Sequence, residues 1–205
     1  HVDAGVRVAA FRALRELRLG DAAPAAVAAL ADHDAGVRRE AVGVLGWLKH
    51  LDALPALARL ASDDPESEVR RAATGALGLA SDAQVLPALR QALRDPAWTV
   101  REEAATTLGK VGHADAGPAL IEALADDYWQ VRLRATRSLG RMRYAPALAA
   151  LIETLAHRIS NLRKEAALAL GELNDPAAIP ALQAARDDGD PEVRKAVRIA
   201  LGQLQ

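Results

Sequence analysis

Arginine is the residue type in this sequence whose spacing points most directly to a chemistry, the binding of anions. Its planar guanidinium can hold a carboxylate or a phosphate through two parallel hydrogen bonds. Arg134, Arg137 and Arg141 lie in a stretch without acids, and their i, i+3 and i+7 spacing places them on one face of a helix. Seven other arginines recur at a regular interval, each directly after a valine or a leucine: Arg7, Arg38, Arg70, Arg101, Arg132, Arg163 and Arg194.

Tryptophan is the second candidate binding residue, because large aromatic side chains are frequent hot spots of interfaces. Trp98 and Trp129 each stand two residues before the valine of such a Val-Arg pair, whereas Trp47 follows Leu45. A tryptophan at a helix start can also pack on its own entry turn, so both interpretations stay open. We expect a carboxylate-bearing protein or peptide partner to contact Trp98, Lys110, Trp129, Gln130, Arg134, Arg137 and Arg141.

Patterns typical of catalysis or metal binding are missing. The five histidines form neither H-x-x-x-H nor H-E-x-x-H, which argues against a metal site. Cysteine is absent, so thiol catalysis and disulfides are excluded. The recurring glycines lack the G-x-G spacing of a phosphate-binding loop. We therefore predict a protein that is not an enzyme, with no catalytic residue, cofactor or metal.

A repeated pair of helices must position these residues. The Val-Arg pair returns every 31 residues, once after 32, and a leucine follows each valine eight residues later. A fixed period of this length indicates a solenoid. Helix B of each repeat runs from the Val-Arg pair to the leucine, since its apolar residues follow the i, i+4, i+7, i+8 pattern. Helix A is the Pro-Ala-Leu stretch, as in residues 118–124.

Short polar turns separate the helices. Asp64-Pro65, Asp95-Pro96 and Asp190-Pro191 predict an N-terminal cap followed by a proline in the first turn of helix B. The first repeat carries Arg15 where the other repeats have a glycine after the leucine. The turn that contains His157 also departs from the pattern, because it lacks Asp-Pro.

Composition limits the class of protein. Of the 205 residues 51% are hydrophobic and only 3% aromatic, so the core consists of Ala, Leu and Val. The net charge of −1 gives no overall attraction to nucleic acid or to an acidic membrane. No apolar run is long enough to span a membrane, and the absence of cysteine suits a cytoplasmic protein. The chain opens on His1 at a repeat turn, so we expect a fragment.

The period, the Asp turn, the Val-Arg pair and the Leu-Gly pair together resemble HEAT repeats, in particular the short bacterial subclass named after phycobiliprotein lyases. The resemblance covers the whole chain. It implies an all-α fold, a right-handed α-α superhelical solenoid of the armadillo type, with about six and a half repeats of 31 residues in one domain over 1–205. It also implies that the B helices line a concave groove. The repeats start near residues 3, 34, 65, 96, 127, 158 and 189.

The resemblance further assigns a structural role to the seven Val-Arg arginines, as a ladder of Arg–Asp pairs that runs from repeat to repeat. The acids expected to take part are those of the neighbouring turns, among them Asp3, Asp34, Asp64, Asp95, Asp127 and Asp190.

The other arginines leave two interpretations open. Glu103 and Glu165 stand at the register of Arg134 in the flanking repeats, and Glu172 stands at that of Arg141. The arginines could therefore pair laterally with these glutamates, or they could bind a ligand.

Three function classes remain at this point. The first is an interaction scaffold that binds a protein or peptide in its groove. The second is a nucleic-acid-binding module, which the near-zero net charge disfavours. The third is a chromophore lyase or chaperone subunit for a bilin protein, as the subclass name implies. A resemblance to deoxyhypusine hydroxylase would require histidine before the glutamate that follows each Val-Arg pair, and the chain has Arg39, Glu102 and Lys164 there.

Overall fold

The computed structural model describes residues 1–80 and 83–204, and within them it contains thirteen α-helices and no strand. The helices are α1 (Ala4–Leu17), α2 (Ala23–Ala29), α3 (Ala35–Leu48), α4 (Leu54–Asp63), α5 (Ser67–Ala76), α6 (Leu86–Ala92), α7 (Trp98–Val111), α8 (Gly117–Ala123), α9 (Trp129–Arg141), α10 (Leu148–Leu155), α11 (Ser160–Leu173), α12 (Ile179–Ala184) and α13 (Pro191–Gln203). Long B helices alternate with short A helices, so the predicted all-α solenoid class is confirmed.

The recurring apolar residues are the core. Val37 and Leu45 of α3 are fully buried, and so are Val131 and Leu139 of α9. Because the valine and the leucine are eight residues apart, they lie on the same face of helix B, about two turns from each other. Alanines fill the space between them, which keeps neighbouring helices close.

Each A helix is entered through a short 3-10 turn that the sequence did not predict. The turn Leu51–Ala53, for example, leads directly into α4. A proline stands in the first turn of every A helix except α10, at a position where its missing N–H would have no intrahelical partner. Before α10, Pro146 lies in the 3-10 turn instead.

Two of the three predicted Asp-Pro caps are wrong. Helix α5 begins at Ser67, after Asp64 and Pro65, and the side chain of Asp64 accepts the N–H of Glu66 outside the helix. Asp95 acts in the same way on the N–H of Ala97. Asp190 caps its helix as predicted, and Pro191 is the first residue of α13. The structure assigns Asp64 and Asp95 to another task, described below.

The glycine after the leucine is required in several repeats by the close approach of the next B helix. A Cβ on Gly140 would lie 2.6 Å from Cα of Ala169, and a Cβ on Gly171 would lie 2.8 Å from Cα of Ala200. Since real Cβ atoms do not approach a backbone atom this closely, a side chain there would force the helices apart.

The chain divides into two compact units, His1–Thr107 and Leu108–Gln205, and the division falls within α7. The sites below are described within one unit or the other.

Candidate functional site

Four of the Val-Arg arginines, Arg7, Arg38, Arg70 and Arg163, make paired hydrogen bonds to an aspartate of the turn that precedes the next B helix. Nε and Nη2 of Arg38 donate to the carboxylate of Asp64 at 2.7 and 2.8 Å. Nη1 of Arg38 donates to the carbonyls of Asp32 and His33, which tie its own turn to the helix. The same carboxylate arrangement joins Arg7 to Asp32, Arg70 to Asp95 and Arg163 to Asp188.

These aspartates are only partly the ones that the resemblance implied. Asp64 and Asp95 pair as expected, but Asp3, Asp34 and Asp190 cap helices instead. The carboxylate that pairs with arginine also accepts the N–H two residues further along its own turn. Each pair therefore stabilises a turn and a repeat junction together.

The arginines change the pKa of the carboxylates they hold. The hydrogen bond from Arg7 lowers the pKa of Asp32, and the N–H of Asp34 adds to this effect. The hydrogen bond from Arg163 lowers the pKa of Asp188 in the same way. These aspartates therefore stay ionised at acidities at which free ones would be protonated.

One junction departs from this arrangement. His157 stands where the other turns carry the pairing aspartate, and its Nδ1 accepts the N–H of Ile159 at 3.0 Å. It supplies no carboxylate to Arg132, whose Nε is buried and has no hydrogen-bond partner within the described part of the chain. Burial, together with Arg132, Arg158 and Arg163, lowers the pKa of His157. The imidazole is therefore neutral at this junction.

Helix α9 brings several of the predicted site residues together in the second unit. Arg137 donates from Nε and Nη2 to the two carboxylate oxygens of Glu165, both at 2.7 Å. Arg137, one turn beyond Arg134, is thus a lateral partner of Glu165, and it holds both carboxylate oxygens through its Nε and Nη2 edge. Burial raises the pKa of Glu172, and nearby Glu165 adds to this, while Arg137, Arg141 and Arg143 act in the opposite direction.

The remaining predicted residues lie on α9 itself or on α7. Trp129 is the first residue of α9 and is 37% exposed, while Arg141 at the helix end is exposed. Gln130 has a buried Oε1 without a hydrogen-bond partner among the described residues. Lys110 is exposed near the end of α7. Trp98 begins α7 in the first unit, so it is described apart from the others.

A cluster in the first unit escaped the sequence analysis. Glu40 of α3 is only 4% exposed, and three arginines surround its carboxylate. Nη2 of Arg12 lies 3.2 Å from Oε1, Nη1 of Arg15 lies 3.2 Å from Oε2, and Nη2 of Arg39 lies 3.5 Å from Oε1. The one available signal was Arg15 itself, an arginine at a position where every other repeat has glycine.

An exposed tryptophan lies beyond this cluster. Trp47 of α3 is 47% exposed, and Cζ of Arg18 lies 4.7 Å from the centre of its ring. This cation–π contact orients the indole without burying it.

The described residues contain no group of three or more His, Cys, Asp or Glu side chains that could hold a metal ion. Within the same residues, no helix combines the length and the apolar character that crossing a membrane requires.

The comparisons with known proteins agree on the fold. The sequence pattern of HEAT repeats matches residues 1–78, 60–130 and 117–202. No curated protein is similar enough in sequence to count as a match.

Several solved structures resemble the chain. Human deoxyhypusine hydroxylase in complex with glycerol is 26% identical, with 99% of this chain and 80% of that chain covered and a TM-score of 0.53. The complex of CpcE and CpcF of phycocyanin lyase from Nostoc is 24% identical, covering 100% of this chain and 91% of that chain at a TM-score of 0.63. Escherichia coli YibA is 22% identical, covering 100% and 71% at a TM-score of 0.65. The last two likenesses show the fold alone.

Proposed function

Because the chain belongs to the HEAT-repeat family, we propose that it is a non-enzymatic scaffold that binds an acidic segment of a protein partner. The contact surface is formed by α9 and comprises Trp129, Arg134, Arg137 and Arg141, hereafter the α9 surface. Lys110 and Gln130, of the same unit, are proposed to extend the contact, and a binding role of Trp98 stays a prediction. A solenoid suits such a role, because successive helices present a continuous surface that needs no loop to reorganise.

The observation that carries this proposal is the state of Arg137. Glu165 holds its Nε and Nη2 edge, yet the side chain of Arg137 remains 52% exposed. A guanidinium fixed in this way loses little conformational entropy when its outer edge binds a second carboxylate. Lateral pairing and ligand binding are therefore compatible uses of the same arginine.

The charge and the shape of the α9 surface favour an acidic partner with apolar side chains. Arg134, Arg137 and Arg141 carry three positive charges on this surface, Arg143 follows the helix, and the helix itself contributes no acid. Exposed Trp129 at the start of the same helix adds apolar area. Aromatic rings beside arginines are the usual composition of interface hot spots.

An enzymatic role like that of deoxyhypusine hydroxylase has less support. The glutamates at the relevant register, Glu40 and Glu165, are bound by arginines. Arg39 and Lys164 stand before them where histidines would be needed. A carboxylate neutralised by guanidinium is a poor ligand for a metal cation, since the bound arginine repels it.

The test uses a fluorescent peptide of alternating glutamates and leucines, and fluorescence anisotropy as the readout. Trp129→Ala combined with Arg141→Glu alters the α9 surface without breaking the Arg137–Glu165 pair, so the fold should persist. We expect the double variant to bind at least about tenfold more weakly, as for the loss of a hot-spot residue and a charge contact.

Arg59→Glu serves as the matched control, because Arg59 is exposed on α4 in the other unit. It changes the net charge as Arg141→Glu does. If the double variant and the control bind the peptide equally well, the α9 surface is not the binding site.

A further inference from the structure

The three arginines around Glu40, together with Glu40 itself, form what we call the Glu40 cluster. It lies in the first unit, on α1 and α3, and is independent of the α9 surface. Arg12 and Arg15 are three residues apart on α1 and therefore point to the same side of the helix. The cluster calls for an explanation, because it holds more positive charge than Glu40 needs.

The equivalent glutamate of the second unit is held by fewer arginines. Glu165 is satisfied by one arginine, which donates two hydrogen bonds of 2.7 Å. Around Glu40 the contacts are longer, at 3.2 to 3.5 Å, and they are divided among three arginines. The contact between Arg15 and Oε2 lacks hydrogen-bond geometry. None of the three arginines is therefore saturated by Glu40.

The arginines are also accessible. The side chains of Arg12, Arg15 and Arg39 are 53%, 42% and 44% exposed, whereas that of Glu40 is 5% exposed. The buried carboxylate of Glu40 thus holds three guanidinium groups that are themselves accessible to solvent. The three guanidinium groups and the one carboxylate of the cluster sum to a charge of +2, and Glu68, Arg71 and Glu103 line a cavity next to Arg39.

Two positions of the sequence, 15 and 43, make room for this arrangement. Arg15 occupies the register at which all other repeats carry glycine. Across from it, Gly43 of α3 leaves room for the arginine, since a Cβ there would lie 3.0 Å from Nη1 of Arg15. A larger residue at position 43 would push Arg15 away from Glu40.

We infer that Arg12, Arg15 and Arg39 form a binding site for a phosphomonoester dianion. A phosphate monoester carries close to two negative charges near neutral pH, which matches the excess charge of the cluster, and its three terminal oxygens suit several guanidinium donors. A single carboxylate would neutralise only half of that excess. Trp47 lies seven residues after Glu40, on the same face of α3, and offers its exposed ring to the group that bears the phosphate.

The experiment is a calorimetric titration of the folded protein with inorganic phosphate at pH 7.5 and constant ionic strength. Arg15→Gly is the key variant, because it restores the residue that every other repeat tolerates, and Arg12 and Arg39 still neutralise Glu40. We expect Arg15→Gly to weaken phosphate binding about tenfold or more, and Arg12→Ala with Arg15→Gly to abolish it. Arg59→Ala, the charge-matched control, should bind as the unmodified protein does.

Lowering the pH to 5.5 provides a second measurement. At this pH inorganic phosphate is chiefly a monoanion, and a phosphate monoester, with a second pKa of about 6, is largely one as well, whereas sulfate remains a dianion. We therefore expect weaker phosphate binding and unchanged sulfate binding at pH 5.5. Circular dichroism and the melting temperature establish that the variants are folded.

The source of the phosphate is distinguished by two further ligands, a phosphoserine peptide and adenosine monophosphate. Tighter binding of the peptide identifies a phosphoprotein as the natural ligand, and tighter binding of the nucleotide identifies a nucleotide. The inference is overturned if phosphate shows no saturable binding, or if Arg15→Gly and Arg59→Ala bind it equally. Neither result bears on the α9 surface, which is tested with a different ligand and different variants.

Discussion

Among the four Arg–Asp pairs described above, Arg38→Ala is expected to be the most damaging single change, because its pair is the most buried of the four. The side chain of Arg38 is 11% exposed and that of its partner Asp64 is 2% exposed. The substitution removes two hydrogen bonds to the carboxylate and two to backbone carbonyls. It leaves the carboxylate of Asp64 ionised and without its cation.

The magnitude follows from that uncompensated charge. Breaking a buried ion pair by removing one partner destabilises a protein by about 3–5 kcal/mol. The pair of Arg7 and Asp32 is more exposed, at 24% and 15%, so Arg7→Ala should destabilise the protein clearly less than Arg38→Ala does. The two substitutions remove the same chemical groups, and their difference therefore measures the effect of burial.

The assay is urea denaturation followed by far-ultraviolet circular dichroism, combined with hydrogen exchange of α3 and α5. A repeat protein can unfold locally, and the exchange data show whether the loss is confined to this junction. The variants Arg38→Ala, Asp64→Ala and the double variant complete a mutant cycle. We expect the double variant to be clearly less destabilised than the sum of the single ones.

The reasoning would be refuted if Arg38→Ala changed the free energy of unfolding by less than about 0.5 kcal/mol, the range of ordinary surface substitutions. Equal effects of Arg38→Ala and Arg7→Ala would show that burial does not govern these pairs.

Three other predictions concern stability. His157→Asp should stabilise the protein by about 1–2 kcal/mol by supplying Arg132 with a carboxylate, and an unchanged unfolding midpoint would contradict this. The pKa of His157 is lower in the folded protein than its ordinary value of 6.5, so the unfolded chain binds the proton first as the pH falls. The free energy of unfolding should therefore decrease below pH 6.5, and it should decrease more in the unmodified protein than in His157→Asp. Unfolding midpoints at pH 7.5 and 5.5 test the sign. Gly140→Ala should destabilise because its Cβ meets the backbone of Ala169, whereas Gly202→Ala, with open space, should be neutral or stabilising by up to about 1 kcal/mol. Thermal melts that rank the two glycines in the opposite order would contradict the packing argument.

The sequence by itself determined the repeat, the fold class and the core. The Val-Arg and Leu-Gly pairs recur at a fixed interval, and the helical spacing between Val37 and Leu45 places both on one buried face. These features follow from local geometry, since a helix of known period buries whichever face is apolar. The resemblance to HEAT repeats also implied that these arginines would pair with aspartates of the neighbouring turns.

Only the tertiary structure decided which residues meet. Asp32, two residues before the capping Asp34, is the partner of Arg7, and Arg137 reaches Glu165. The cluster around Glu40 depends on Arg15 lying over a glycine of the next helix. Such contacts join residues about one repeat apart, so they depend on the distance and rotation between neighbouring B helices. Those quantities are set by the packing of small side chains across the junction, and no pattern within a single repeat specifies them.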